Sequence, residues 1–124
     1  MARRDVTDEL RHDVLVDIAK GDERRFGTGG KLLKPSRASV EAAITDIRCG
    51  STMTITELRQ RLARQHGADA TCPFMTKCAL LAIAEDRGTT APYWRVVMPD
   101  GGMVGYFPGG AAAQIRQLKS ERAR

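Results

Sequence analysis

Aromatic residues are scarce in this chain: one tryptophan, two tyrosines and three phenylalanines among 124 residues. Long apolar runs are missing too. Nothing approaches the roughly 18 apolar residues that a membrane span needs, and nothing resembles a secretory h-region. The expectation is a cytoplasmic, monomeric protein without membrane contact. The three cysteines, Cys49, Cys72 and Cys78, are an odd number at wide spacings, which argues against a disulfide framework. Cys72 and Cys78, with His66 nearby, are too sparse for a zinc site, so no metal and no cofactor is expected. Acidic residues are outnumbered, 15 against 20 basic, for a net charge of +5 and a pI near 9.5. Such an excess favours an acidic partner, first of all nucleic acid, with solubility alone as the plainer explanation.

The length suits one domain with a modest core. Leu10, Val14, Leu15 and Ile18 recur at helical spacing, predicting a helix over residues 7–19 capped by Thr7. A charged, glycine-rich connector follows, with a short extended piece at Lys31 to Leu33. Gly27, Gly29 and Gly30 in it have neither Walker nor dinucleotide spacing, so the segment reads as a flexible link. A second helix starts from Ser39, with Val40, Ala43, Ile44 and Ile47 on one side. Thr54 and Glu57 form a capping box for a third helix, which Gly67 ends. Pro73 then opens a fourth. Two helices joined so closely predict a helix-turn-helix. Strands over Tyr93 to Met98 and Met103 to Phe107, around the turn "PDGG", would make the hairpin of a wing. A terminal helix follows, with Ile115 and Leu118 facing inward.

Four of the six aromatics fall between residues 93 and 107. They lie in the run Pro92-Tyr93-Trp94-Arg95-Val96-Val97, then Gly105-Tyr106-Phe107-Pro108-Gly109-Gly110, then Leu118-Lys119-Ser120-Glu121. From Gly50 onward the chain resembles the DNA-binding, active-site domain of the O6-alkylguanine-DNA alkyltransferases and the alkyltransferase-like proteins. Their motif is Pro-Cys-His-Arg-Val, followed by Gly-Asn-Tyr-Ser-Gly-Gly and a helix carrying a glutamate. The resemblance implies an α+β winged helix-turn-helix, assigned to residues 36–124. The helix and connector read from the spacing within residues 1–35 do not look like the family's usual N-terminal domain and stand as an addition to that fold.

The same resemblance implies an absence of catalysis. Family enzymes take an alkyl group onto a cysteine thiolate activated by the adjacent histidine and a glutamate beyond it. Here Tyr93 stands at the cysteine position and Trp94 at the histidine position, while Glu121 matches the glutamate. A phenol without an adjacent base is a poor nucleophile, and tryptophan has only a donor. The expectation is therefore no enzyme. Tyr93, with Tyr106, Phe107 and Pro108, would form a lesion pocket on which a flipped base stacks, or the Tyr93 ring would fill and close the old alkyl pocket. Strand alternation would separate Tyr93, Arg95 and Val97 from Trp94, Val96 and Met98. On that basis Trp94 belongs to the core, and Arg95 and Glu121 are structural remnants of the motif.

The family's base-replacing arginine, counted back without gaps, falls on Thr76, with Lys77 one residue away. Its phosphate-pushing tyrosine falls on Ile55. Leu80, Arg87 and Arg59 complete the expected DNA contacts, and Arg3, Arg4, Arg24, Arg25, Lys31, Arg61, Arg64, Arg116, Lys119, Arg122 and Arg124 add to the basic surface. His12 and His66 read as isolated, exposed helix residues. The implied role is a non-catalytic binder of duplex DNA that senses O6-alkylguanine and passes it to a repair protein. Two other classes remain open: a winged helix reused for RNA or protein interaction, and an enzyme using Cys72 or Cys78.

Overall fold

The computed structural model describes residues 7–123, and its first segment departs from the predicted helix. Residues 7–10 form a turn, and Val14–Asp17 form strand β1. β1 runs antiparallel to β2 (Lys31–Lys34), with Val14 opposite Lys34 and Asp17 opposite Lys31. The burial pattern explains why helical spacing misled. Leu10 and Ile18 are buried, but Val14 and Leu15 are 44% and 49% exposed, a split that one helix face does not produce. The β-branched Val14 and Val16 favour the extended backbone, and β2 supplies the partner strand. Asp13, just before β1, fastens the segment to the next helix by accepting from Ser36 N (2.7 Å) and Ser39 Oγ (2.7 Å). His66 is not isolated, since its Nδ1 lies 4.0 Å from Asp13.

A single turn of helix, α1 (Glu23–Phe26), sits between the two strands and ends at Gly27 with φ 76°. β2 pairs in parallel with β4 (Ala70–Thr71), so it is the central strand of the order β1-β2-β4. Its Leu33 is fully buried in the same core as the helices that follow. Helix α2 (Arg37–Thr45) is capped by Ser36, whose Oγ accepts from Ser39 N at 3.1 Å, one turn earlier than the sequence pattern placed its start. Val40, Ala43, Ile44 and Ile47 are buried, as their spacing requires.

Strand β3 (Met53–Thr54) leads into α3 (Ile55–Gln65) through the full capping box: Glu57 N donates to Thr54 Oγ1 at 3.1 Å, and Thr54 N to Glu57 Oε1 at 3.2 Å. Thr54→Ala is expected to cost about 1 kcal/mol, measured as a lower urea midpoint with an unchanged slope. Gly67 takes the left-handed conformation (φ 66°) just past the cap of α3. Helix α4 (Pro73–Glu85) begins with its proline at the first helical position, where a missing N–H leaves nothing unpaired. α2 packs against both α3 and α4, and Leu58, Leu62, Leu80 and Ile83 are fully buried between them.

The expected wing is replaced by a different pairing. β5 (Val96–Val97) lies parallel to β3, with Met53 opposite Val96, and residues 103–107 form no strand. Gly105 and Pro108 leave little room for a ladder there, and the amide of Val104 is taken by a side chain described below. The turn itself is present: Gly101 N donates to Met98 O and Met98 N to Gly102 O. The final helix, α5 (Gly110–Arg122), buries Gln114, Leu118 and Glu121 at helical spacing, while Ile115 stays 39% exposed, contrary to expectation. Among the described residues the fold is thus α+β, with five helices and two small sheets. No described helix is long and apolar enough to cross a membrane.

Candidate functional site

Pro92 is followed by a 3-10 turn over Tyr93–Arg95 rather than a strand, so side chains do not alternate between two faces. Trp94 and Arg95 instead turn to one partner, Glu121 of α5. Arg95 Nε donates to both carboxylate oxygens (3.0 and 3.1 Å), and its Nη2 lies 2.7 Å from Oε1. Arg95 Nη1 reaches Ile47 O at 2.7 Å, tying the end of α2 to the same node. Trp94 Nε1 donates to Glu121 Oε1 at 2.8 Å. The Arg95 and Glu121 side chains are 14% and 7% exposed. Burial alone would raise the Glu121 pKa. Hydrogen bonds from Arg95 and Trp94, the Arg95 charge and the Gly50 amide together outweigh it and hold the carboxyl below the ordinary glutamate value.

A second buried group sets the backbone of the same stretch. Gln114, 2% exposed, accepts from Val104 N at 2.7 Å and donates to Trp94 O (2.9 Å) and Val96 O (2.7 Å). One amide therefore clamps the 3-10 turn, β5 and the segment after the tight turn onto α5. Around this clamp the aromatics form a continuous edge-on chain: Trp94 to Tyr93 at 5.3 Å, Tyr93 to Phe107 at 5.2 Å, and Phe107 to Tyr106 at 5.4 Å. Such contacts fix ring orientations beyond simple burial.

A cleft of about 230 Å³ opens beside the chain of rings, lined by Tyr93, Trp94, Phe107 and Pro108 and, from α5, by Gln114, Arg116 and Gln117. Three of the four residues expected to form a lesion pocket line it, Tyr93 among them. Tyr106 is not part of the lining. It packs edge-on against Phe107, with Lys77 Nζ 5.0 Å from its own ring centroid. Its hydroxyl is buried with no hydrogen-bond partner, and burial raises its pKa, helped by Cys78.

The expected DNA contacts fare unevenly. Thr76 is fully buried, with Oγ1 donating to Cys72 O at 2.8 Å, and Leu80 is fully buried as well, so neither presents a surface. Ile55 is half-buried against the core. Lys77 and Arg87 are exposed, and Arg59 is half-buried on α3. Of the wider basic set, Arg3, Arg4 and Arg124 lie outside the described residues. Two features escaped the sequence pattern: the role of Gln114, and the tryptophan N–H as a ligand of Glu121. The spacing of Gln114, Leu118 and Glu121 on one face of α5 was the signal for the first.

No family model and no curated protein matches the chain. Among solved structures, one that does is the crystal structure of Mycobacterium tuberculosis O6-methylguanine methyltransferase, at 26% sequence identity, a TM-score of 0.48, and coverage of 71% of this chain and 48% of that one. The chain thus spans about half the length of that protein.

Proposed function

We propose that this chain is a non-catalytic, alkyltransferase-like binder of duplex DNA that accepts an O6-alkylated guanine against Tyr93. The observation that carries this reading is what surrounds Tyr93 and Trp94, the residues at the family's cysteine and histidine positions. Glu121, which would orient a histidine, is occupied by Trp94 Nε1 and Arg95. No base is left for a nucleophile, yet the Tyr93 ring lines an open cleft with Phe107 and Pro108 on its other walls. An aromatic face in such a cleft suits a stacked base, which is recognised with little sequence preference. The net charge of +5 supplies the backbone attraction. Arg116 of α5 lines the cleft itself, and with Thr76 buried, Lys77 is an exposed cation that α4 offers beside Tyr106.

Fluorescence anisotropy with matched duplexes containing guanine or O6-methylguanine, over a salt series, tests this. The lesion duplex should bind more tightly. Tyr93→Ala should abolish that preference by removing a stacking contact worth roughly 1–3 kcal/mol, about 5- to 160-fold in affinity. Equal affinity for both duplexes would leave a general nucleic-acid binder, and no binding at low salt would favour a protein- or RNA-interaction module. Intact mass after incubation with the lesion duplex should be unchanged, whereas an added alkyl group on Cys72 or Cys78 would overturn the non-catalytic assignment.

A further inference from the structure

A second cleft, of about 370 Å³, opens between α1 with the loop after it, α3, β4 and the first residue of α4. Its size falls within the roughly 300–1,000 Å³ of small-ligand sites. Arg25 of α1 and Arg59 of α3 both line it, brought together from segments far apart in the chain. Arg37 and Arg95 are satisfied by carboxylates, but neither Arg25 nor Arg59 has an acidic partner among the described residues. Two guanidinium groups lining one concavity, with no carboxylate partner among the described residues, repel each other until an anion sits between them. Each has one contact that orients its part of the wall. Arg25 is held over the Phe26 ring, 5.3 Å from its centroid, and Thr71 Oγ1 donates to Arg59 O at 2.7 Å, locking β4 to α3.

The remaining lining fits an oxyanion. Thr56, in the first turn of α3, and Pro73, at the start of α4, bring the positive ends of two helices of 11 and 13 residues to the cleft. Thr56 adds a hydroxyl, while that of Thr28 donates to Gly29 O at 3.1 Å. The lining also holds a carboxylate, Asp69, whose Oδ2 accepts from Lys31 N at 2.8 Å. Guanidinium forks match the paired oxygens of a phosphate.

We propose that this cleft holds the phosphate of a nucleotide unit between Arg25 and Arg59, so that the segment before β2 extends the nucleic-acid surface of α4. The inference rests on the nucleic-acid reading above. Pro73 lies one helical turn before Lys77 on the same helix, so a strand contacting Lys77 has a phosphate within reach of the cleft.

The test measures binding of an unmodified duplex over a salt series for the wild type, Arg25→Ala, Arg59→Ala and Arg24→Ala, with circular dichroism melts confirming that each variant folds. Each phosphate contact contributes about 0.9 to the slope of log K against log salt, about eightfold in affinity at 0.1 M salt. Arg25→Ala and Arg59→Ala should each lose about that much, Arg59→Lys should retain most of it, and Arg24→Ala, whose residue lies outside the lining, should lose clearly less. Equal losses for Arg24→Ala and Arg25→Ala, or wild-type binding by both cleft variants, would overturn the site while leaving duplex binding intact. A parallel titration with 2′-deoxyguanosine monophosphate separates the source of the phosphate. Binding of the mononucleotide that both variants lose, without duplex binding, would uphold the cleft for free nucleotides and sink the DNA reading. Binding of neither probe would overturn both.

Discussion

Glu121→Ala is expected to be among the most damaging substitutions in this protein, lowering stability by about 3 kcal/mol and the melting temperature by about 12 °C. The reason is asymmetry. The Arg95 side chain is 14% exposed and its guanidinium makes three of its contacts to Glu121 oxygens. Without the carboxylate, a largely desolvated cation keeps the Ile47 carbonyl, Cys49 and the Trp94 ring beside it but no counter-charge from Glu121, and Trp94 Nε1 loses its acceptor. Leaving one charge of a buried pair behind costs more than the pair contributed. Thermal denaturation followed by circular dichroism measures it. A loss under about 1 kcal/mol would mean that water reaches Arg95 and that the node does not hold the 3-10 turn in place.

The same carboxylate gives stability a defined acid dependence. Its pKa is lowered in the folded chain, burial being outweighed by the hydrogen bonds from Arg95 and Trp94. The unfolded chain therefore takes up a proton first as pH falls. The contribution is complete above the ordinary glutamate value, near 4.3, and is lost as pH drops through the lowered folded value. Wild type should thus exceed Glu121→Gln in melting temperature at pH 7, and the two curves should converge below about pH 4. Asp13 also titrates low, the burial that would raise its pKa being offset by hydrogen bonds from Ser36 and Ser39. It makes both proteins acid-labile, but it cancels in the comparison between them.

What the sequence disclosed, and what it hid, follows from how local each signal is. The capping box at Thr54 and Glu57, the proline opening α4 and the glycine ending α3 depend on backbone chemistry within one turn, and each is where the pattern put it. The apolar face of α2 was equally legible, because one side of that helix is buried and the other is wet. α4 gave no such contrast. It buries Met75, Thr76, Ala79, Leu80, Ile83 and Ala84, so a register counted from the family motif could not reveal that Thr76 and Leu80 point inward. Strand β1 and the missing wing failed for another reason. Whether Val14–Asp17 or residues 103–107 become strands depends on which distant segment is free to pair. β2 takes the first, whereas β3 takes the β5 partner that a hairpin would have used. The candidate site divides in the same way. Arg95 as a structural residue could be inferred from the motif, but its convergence with Trp94 on Glu121 depends on a 3-10 turn that alternation does not predict.

Gln114→Ala should match or exceed the Glu121 variant, because a single buried amide satisfies three main-chain groups: Val104 N, Trp94 O and Val96 O. Each buried group left unpaired costs about 1–3 kcal/mol, so a loss of about 3–5 kcal/mol is expected, read as an early urea midpoint. The functional consequence should exceed the stability loss. These groups position the turn that carries Tyr93 against the segment that carries Phe107, and the two rings form adjoining walls of the cleft. Lesion preference should therefore fall even under conditions where the variant is fully folded. Gln114→Glu sharpens the test, since it keeps the size and the acceptor for Val104 N but, when ionised, offers no donor to the two carbonyls. Burial and the facing carbonyl oxygens raise the pKa of the new carboxyl in the folded chain. Its penalty relative to wild type should be about 1–3 kcal/mol near pH 4, where the protonated acid donates to only one of the two carbonyls, and grow as pH rises above that value. A penalty independent of pH would mean that the side chain leaves the clamp, and that packing rather than hydrogen bonding holds Tyr93 over the cleft.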